Sequence, residues 1–164
     1  CIQMGESPYR DVRVAAAMGR AIINRAAAAA ERSAAAAALP GPVTHLCEIP
    51  PSTFNTHFRH RLPVAIAGAD FLREYGPLCD GEVGAVDPEL CYAVRAATAH
   101  PIEEHCRVQL FRSLVESLDV APAHDPLDPT ALDPRLLLLG ELMAQAHASY
   151  TACGMGSAET DLLV

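Results

Sequence analysis

The stretch LLLLGELMAQAHASYTACGMGSAETDLLV, residues 136–164, decides the fold of the C-terminal part of this chain. Its apolar and ring-bearing residues recur at spacings of three or four, which places them on one face of an α-helix. The residues of this predicted face are Leu136, Leu139, Gly140, Met143, His147 and Tyr150. Asp133 and Pro134 precede the face and supply an N-cap and a first-turn proline. The pattern therefore predicts a helix that begins at Pro134.

The sequence also predicts where this helix ends. Gly154-Met155-Gly156 stops it, and Ser157 can cap a second helix that runs towards Leu162, Leu163 and Val164. An apolar helix start of this kind has no partner in the rest of the sequence, and residue 1 is Cys rather than Met. We therefore expect the chain to be an internal piece of a longer protein, cut at both ends.

Composition narrows the class of protein. The chain has 164 residues, of which 51% are hydrophobic and 5% aromatic, so Ala-rich helix packing is expected. The net charge of −8 argues against a nucleic-acid partner and against an anionic membrane surface. No apolar run approaches the roughly 20 residues of a membrane span. The cysteines form no CxxC motif, which predicts reduced thiols in a cytoplasmic protein. They are Cys1, Cys47, Cys79, Cys91, Cys106 and Cys153.

The remaining pattern is mostly helical. The sequence predicts a long helix over residues 11–39, a short segment over 43–49, and helices over 51–60 and from Pro63 to Gly76. Val14, Met18 and Ile22 form the apolar stripe of the first helix. Residues 78–86 read as loop or short strand, 88–118 as helix with a break at Pro101, and 121–134 as a loop. Strands that would cover the first helix are missing, so we expect its stripe to be exposed.

Few residues point directly to chemistry. The chain contains no GxxxxGK[ST], GxGxxG or GxSxG motif. The loop 154–157 could cradle a phosphate with its N–H groups, although a Schellman helix end followed by an N-cap is favoured. His57 and His60 lack a third ligand, so no metal site is predicted.

Three other features have a structural and a functional interpretation. Residues 100–107, HPIEEHCR, could contain a general base, but the favoured interpretation is a helix start with Glu103 and Glu104 near the positive end of the macrodipole. Cys106 and Cys153 have apolar flanks typical of buried thiols. Tyr9, just before the first helix, either presents its hydroxyl to a ligand or anchors the turn.

Several stretches resemble a known family. Residues 86–104, VDPELCYAVRAATAHPIEE, and 147–161, HASYTACGMGSAETD, resemble motifs of L-arabinokinase-type sugar kinases of the GHMP superfamily. Residues 139–150 and 7–20 resemble the related galactokinases. So do Arg95, His100, Glu103 and Arg107, which match positions of one galactokinase motif. The resemblance spans the chain apart from the Ala-rich tract and the Pro/Asp loop.

The resemblance implies a fold and a function. The fold would be α+β and predominantly helical, with residues 1–164 forming part of a GHMP-kinase C-terminal domain without its ribosomal S5-like nucleotide-binding domain. The intact protein would be a kinase that uses ATP and Mg²⁺ to phosphorylate the anomeric hydroxyl of a monosaccharide. L-Arabinose is the first expected substrate, and galactose or the substrate of another GHMP sugar kinase is the alternative.

The resemblance also assigns site residues. Tyr9 matches a tyrosine that contacts the sugar in galactokinases, and Gly156 and Ser157 match a loop near the substrate. It implies that this chain holds no catalytic residue, since the phosphate loops and the catalytic aspartate belong to other parts of the kinase, so the chain alone should be inactive. The rival interpretation, from another class, is a non-catalytic helical interaction domain.

Overall fold

A computed structural model of the chain describes residues 8–29, 39, 41–78, 83–120 and 133–162. These residues are mostly helical and include one two-stranded sheet, in agreement with an α+β chain rich in helix. The second half of the predicted first helix, most of the predicted loop 121–134, and Leu163 and Val164 lie outside the described residues.

The helices and strands follow one another with short connections. In chain order they are α1 (Pro8–Ala29), a 3-10 helix (Leu46–Glu48), α2 (Pro51–Thr53), a π-helical turn (Phe54–Phe58), a second 3-10 helix (Arg59–Arg61), β1 (Ile66–Ala67), α3 (Gly68–Tyr75), β2 (Cys91–Tyr92), α4 (Val94–Val120), α5 (Pro134–Ala152) and α6 (Ala158–Asp161). α1 packs mainly on α4, and α4 packs on α5. The long helix α4 therefore joins the core to the C-terminal helices.

The stripe of α1 lies in the core. Val14, Met18 and Ile22 are only 1%, 0% and 4% exposed, so their spacing predicted the buried face correctly. The expectation that this stripe would be exposed is wrong, because α4 and the irregular segments between α1 and α4 cover it. The largest fully buried side chains of the core are Phe54, Phe58, Phe71, Met18, Ile23, Ile49, Leu62, Ile102, Val14, Val94 and Thr98.

The segment after α1 is tied down by one asparagine of α1. Asn24 donates from Nδ2 to the Val43 carbonyl at 3.1 Å and accepts the Val43 N–H at 2.8 Å. The predicted helix over residues 51–60 is present but changes type, from α2 to a π-helical turn to a 3-10 turn. In the π-helical turn the Arg59 N–H donates to the Phe54 carbonyl, and both Phe54 and Phe58 are fully buried.

The predicted helix from Pro63 begins five residues late, at Gly68. Ile66 and Ala67 instead pair antiparallel with Tyr92 and Cys91. A second contact fixes this start, because the Gly68 N–H donates to the Leu90 carbonyl at 2.8 Å. Such pairing between distant segments is invisible to helical periodicity. The end of α3 was predicted correctly, since Gly76 follows it with a φ of 78°.

The predicted helix over 88–118 differs at its start and at Pro101. Its first residues form a turn and β2, and α4 begins at Val94. α4 then runs through Pro101 without the predicted break. A proline inside a helix costs about 3 kcal/mol because it lacks the N–H that would bond four residues back. The neighbouring Thr98 and Ile102 are 0% and 1% exposed, so core packing also supports this part of α4.

α5 begins as predicted but packs on a different face. The Asp133 carboxylate accepts the Arg135 N–H at 2.8 Å, and Pro134 is the first helical residue. Of the predicted face, Leu136, Met143 and Tyr150 are 44%, 52% and 39% exposed. The buried and half-buried residues of α5 are Arg135, Leu139, Leu142, Ala146, His147 and Ser149. The packed face is thus rotated by roughly a quarter turn from the predicted one.

Candidate functional site

Tyr9 is the second residue of α1 and is 64% exposed. The Arg13 guanidinium lies 5.9 Å from the centre of its ring, one helical turn further on. Among the described interactions the Tyr9 hydroxyl makes no hydrogen bond. The hydroxyl is therefore accessible to a ligand, while the residues of the preceding turn lie outside the described part of the chain. Its role as a sugar contact stays a prediction.

The loop 154–157 is built as a Schellman helix end. The Gly154 N–H donates to the Thr151 carbonyl at 2.8 Å, and the Met155 N–H donates to the Tyr150 carbonyl at 3.2 Å. Gly154 has a φ of 83°, a conformation that glycine adopts without steric cost. The favoured interpretation of this loop is confirmed. Two of its N–H groups point back into α5, so the loop does not form a phosphate cradle.

Gly156 and Ser157 occupy the tight second half of that loop. A Cβ atom on Gly156 would lie 2.4 Å from Thr151 Oγ1, so this position needs glycine. The Ser157 hydroxyl accepts the Thr160 N–H at 3.3 Å, and the Ser157 N–H donates to Thr160 Oγ1 at 3.0 Å. These two bonds form a capping box that starts α6. The predicted N-cap at Ser157 is confirmed, whereas the return bond to Thr160 was not predicted.

The Ser157 hydroxyl also acts on a neighbouring carboxyl group. Its hydrogen bond to the Glu159 side chain is the main cause that lowers the pKa of Glu159. A sugar hydroxyl that accepted the Ser157 proton would therefore compete with Glu159. Among the described residues, no hydrogen bond or ring contact joins Tyr9 to Gly156 or Ser157.

A histidine spans the loop from α5 to α6. His147 Nε2 lies 2.9 Å from Asp161 Oδ1, fourteen positions further along the chain. The His147 side chain is 21% exposed and the Asp161 side chain 59% exposed. This link was not predicted, although the pair falls inside the motif 147–161.

The polar cluster at residues 100–107 lies in the middle of α4, so its interpretation as a helix start is wrong. His100 Nδ1 lies 3.0 Å from Ser149 Oγ, and its ring meets the Tyr150 ring edge-on. Burial lowers the pKa of His100, with the nearby Glu104 acting in the opposite direction. His100 therefore joins α4 to α5 as a neutral side chain at neutral pH.

The charged residues Glu103, Glu104 and Arg107 of this cluster form ion pairs, within α4 and with Arg59. The Glu103 carboxylate accepts from Arg59 at 2.8 Å, and the Glu104 carboxylate accepts from Arg107 at 2.8 Å. Arg95 donates from both Nε and Nη2 to the Leu62 carbonyl, at 2.9 and 2.6 Å. Of the residues that match the galactokinase motif, Arg95, His100 and Glu103 thus hold α4 against its neighbours, whereas Arg107 pairs within α4.

The Cys153 thiol is a structural group. It is 4% exposed and lies 3.4 Å from the Ala96 carbonyl of α4. Burial raises its pKa to about 11, and the charge of Glu103 adds to that effect. A thiol with this pKa is almost entirely protonated at neutral pH, which excludes it as a nucleophile.

The sequence did not predict the cavity of about 590 Å³ between α1 and α3. Stacked Phe71 and Tyr75 rings form part of its wall, with ring centres 5.0 Å apart. Two of its polar side chains have partners: Asn24 is bonded to Val43, and Arg20 Nη1 donates to the Thr44 carbonyl. The polar wall of the cavity therefore supports the segment after α1.

The described residues contain neither a metal cluster nor a membrane-spanning helix. Within them, no group of three His, Cys, Asp or Glu side chains is arranged to hold a metal ion. None of the described helices combines the length and the apolar character needed to cross a bilayer.

Comparison with known proteins gives one informative relative. Over an alignment of 178 positions that includes 98% of this chain, the sequence is 32% identical to L-arabinokinase from Arabidopsis thaliana. No protein-family model and no solved structure matches the chain. The chain spans 16% of the length of that L-arabinokinase. It is therefore a partial homologue of L-arabinokinase.

Proposed function

We propose that this chain is part of an ATP-dependent sugar kinase that phosphorylates the anomeric hydroxyl of a monosaccharide, with L-arabinose as the preferred acceptor. The observation that carries the proposal is the 32% identity to L-arabinokinase over nearly the whole chain. The motif stretches 86–104 and 147–161 support it, because both contain described segments that pack together: α4 packs on α5, and Cys153 contacts the Ala96 carbonyl of α4.

The loop 154–157 does not fit the nucleotide phosphates. In the loop 154–157, the N–H groups of Gly154, Met155 and Ser157 all have partners within the chain. As the resemblance to GHMP kinases implies, we assign ATP and Mg²⁺ to other parts of the kinase, and this chain to the sugar side.

In this proposal, two features of the chain contact the sugar: the Tyr9 hydroxyl and the loop at Gly156 and Ser157. The exposed Tyr9 hydroxyl is available to donate to a sugar oxygen and to accept from a sugar hydroxyl. The loop at Gly156 and Ser157 is held in one conformation by the Schellman turn and the capping box. In this proposal both orient the sugar for phosphoryl transfer, a reaction in which positioning contributes much of the catalysis.

The chain also supports a second candidate, a helical interaction domain. Leu136, Met143 and Tyr150 form an exposed apolar stripe on one flank of α5, and such a stripe suits a protein partner. If this candidate were correct, the protein would bind a partner and show no sugar-dependent use of ATP.

The test is an assay of the protein encoded by the complete reading frame. ADP release from ATP and Mg²⁺ is measured with L-arabinose, with D-galactose and without sugar. We expect release that depends on L-arabinose, with galactose second. The 164-residue chain assayed alone should give no release above a no-protein control. A folded complete protein without sugar-dependent ADP release would contradict the proposal and favour the interaction domain.

Tyr9→Phe tests the sugar contact in the complete protein. Removal of the hydroxyl leaves a sugar oxygen without its partner, so kcat/KM for the sugar should fall by the equivalent of roughly 1–3 kcal/mol. The KM for ATP should stay constant. Unchanged sugar kinetics, or an effect on ATP alone, would show that Tyr9 is a turn anchor.

A further inference from the structure

Three side-chain contacts fix the α5–α6 loop, residues 153–157, to the helices around it. Cys153 anchors its start on α4, through the contact of Sγ with the Ala96 carbonyl at 3.4 Å. Thr151 packs against Gly156, where no space remains for a Cβ atom. His147 reaches across the loop to Asp161 at 2.9 Å. The first two contacts hold the beginning and middle of the loop, and the third holds its far end.

The far end depends most on such a contact. α6 contains four residues, Ala158–Asp161, and a helix this short does not persist in water without tertiary support. All residues of α6 are exposed or half-buried, so burial gives it little support. The capping box joins Ser157 to Thr160 within the same segment. It shapes the first turn of α6 but does not fix that turn relative to α5.

His147 supplies this fixed link. Its side chain lies on the well-formed helix α5 and is mostly covered, whereas Asp161 is mostly exposed. The imidazole is thus the stationary end of the contact, and Asp161 is the end that would move if the contact were lost. Since Ser157 is the N-cap of α6, any movement of α6 also moves the Ser157 hydroxyl and Gly156.

We infer that His147 is a positioning residue for the sugar site, which holds the Gly156–Ser157 loop in place through Asp161. The inference rests on the proposed function, in which this loop contacts the sugar. His147 itself does not touch the sugar in this account. Its loss therefore weakens sugar recognition and leaves ATP recognition unchanged.

The experiment uses the complete protein and three variants. His147→Ala removes the link, and His147→Gln keeps an N–H that can donate to the Asp161 carboxylate. Gln145→Ala is the matched control, because Gln145 is an exposed residue of α5 whose side chain donates to Glu141 at 2.8 Å without crossing the loop. Steady-state kinetics are measured with L-arabinose, D-galactose and ATP as varied substrates.

The expected result is a split between substrates. In His147→Ala the KM for the sugar should rise about 3- to 10-fold, the factor that corresponds to one hydrogen bond of ordinary strength, while the KM for ATP stays constant. His147→Gln should recover part of the loss, and Gln145→Ala should match the wild type. Equal rises in both KM values, or no rise in a folded His147→Ala protein, would overturn the inference.

Hydrogen exchange separates this inference from the proposed function. Backbone amides of residues 155–161 should exchange faster in His147→Ala than in Gln145→Ala. Unchanged exchange would show that His147 does not hold the loop, and this would leave the kinase proposal intact. Faster exchange with unchanged sugar kinetics would show that the loop does not position the sugar. A wild-type protein without sugar-dependent activity would refute the proposed function itself and the inference with it.

Discussion

The helices α1 and α5 carry similar apolar stripes, but the stripe of α1 is buried and that of α5 is exposed. In α1 the stripe Val14, Met18 and Ile22 is almost fully buried, whereas in α5 the residues Leu136, Met143 and Tyr150 remain 39–52% exposed. The difference lies in the neighbours. α1 meets α4, α3 and β2, but α5 packs mainly on α4 alone. Periodicity shows which residues share a helix face, and the number of neighbouring elements decides whether that face is covered.

The comparison predicts its largest effect at the two methionines. Met18 is fully buried and Met143 is 52% exposed, and each belongs to its helix's stripe. Met18→Ala should lower the free energy of unfolding by roughly 2–5 kcal/mol, because it leaves a cavity in the core. Met143→Ala should change it by less than about 0.5 kcal/mol. Denaturant unfolding of both variants checks the pair, and comparable losses would mean that α5 has a covered stripe after all.

A glycine in each helix allows a second comparison of the packing of α1 and α5. A Cβ on Gly19 of α1 would lie 1.7 Å from Thr98 Oγ1, while a Cβ on Gly140 of α5 would meet no atom within 4 Å. Gly19→Ala should therefore destabilise the protein by roughly 1–3 kcal/mol through overpacking. Gly140→Ala should stabilise it by about 0.5–1 kcal/mol, because alanine favours a helix.

A double variant identifies the cause of the Gly19 effect. Thr98→Ala removes the hydroxyl that faces Gly19, and the combination Gly19→Ala with Thr98→Ala should lose less stability than the sum of the single changes. Additive losses would show that the contact between α1 and α4 is not the reason. Thermal unfolding monitored by circular dichroism is sufficient for the cycle.

Much of this fold followed from local patterns. The stripe of α1, the N-cap at Asp133, the end of α3 at Gly76 and the Schellman turn at Gly154 were all predicted, because each depends on residues within one or two turns. The starts of α3 and α4 were not, since they depend on the pairing of Ile66 with Tyr92. The packed face of α5 was missed because LLLL at 136–139 offers apolar groups on several flanks.

The site followed the same rule. The caps around Gly154 and Ser157 are local and were predicted. Two other contacts join segments that are far apart in the sequence: His100 contacts Ser149 across 49 positions, and Cys153 contacts Ala96 across 57 positions. No local sequence pattern predicts contacts over such distances. His147 and Asp161 fall between these cases: the recognised motif contains both, but only the turn at 153–157 brings them together.

Cys153 and Cys47 extend the comparison to reactivity. Cys153 is buried with a pKa raised to about 11, whereas Cys47 is exposed. At pH 8 a thiol reagent should label Cys47 rapidly and Cys153 only in denaturant, as mass spectrometry of digested peptides would show. Rapid labelling of Cys153 in the native protein would mean that the contact between α5 and α4 opens readily.

The Cys153 thiol also predicts a loss of stability in alkali. The pKa of the Cys153 thiol in the folded protein lies above the ordinary value of 9.0. Between these two values the native state keeps a proton that the unfolded state releases. The free energy of unfolding therefore falls as the pH rises from about 9 to about 11. The loss attributable to this group is about 1.4 kcal/mol at pH 10. The wild type should lose this much more than Cys153→Ala between pH 7 and pH 10, and equal losses would contradict the assignment.

His100 predicts a smaller effect on the acid side. Burial lowers the pKa of His100 in the folded protein, so the unfolded state takes up a proton at a higher pH than the native state does. The stabilisation that this gives is fully present above about pH 6.5 and is lost as the pH falls through the lowered pKa of the folded state. His100→Asn should lack this component of acid sensitivity. Unfolding midpoints at pH 7 and pH 5 for both proteins measure it, and identical pH dependence would show that His100 is not desolvated by α5.

The central claim, that this chain belongs to a sugar 1-kinase, is tested most directly by the position of the transferred phosphate. The complete protein is incubated with ATP, Mg²⁺ and L-arabinose, and the product is examined by ³¹P NMR. The account predicts a new phosphate ester whose phosphorus couples to the anomeric proton of the sugar. A phosphate on any other hydroxyl, or ATP left unchanged by a folded protein, would contradict it.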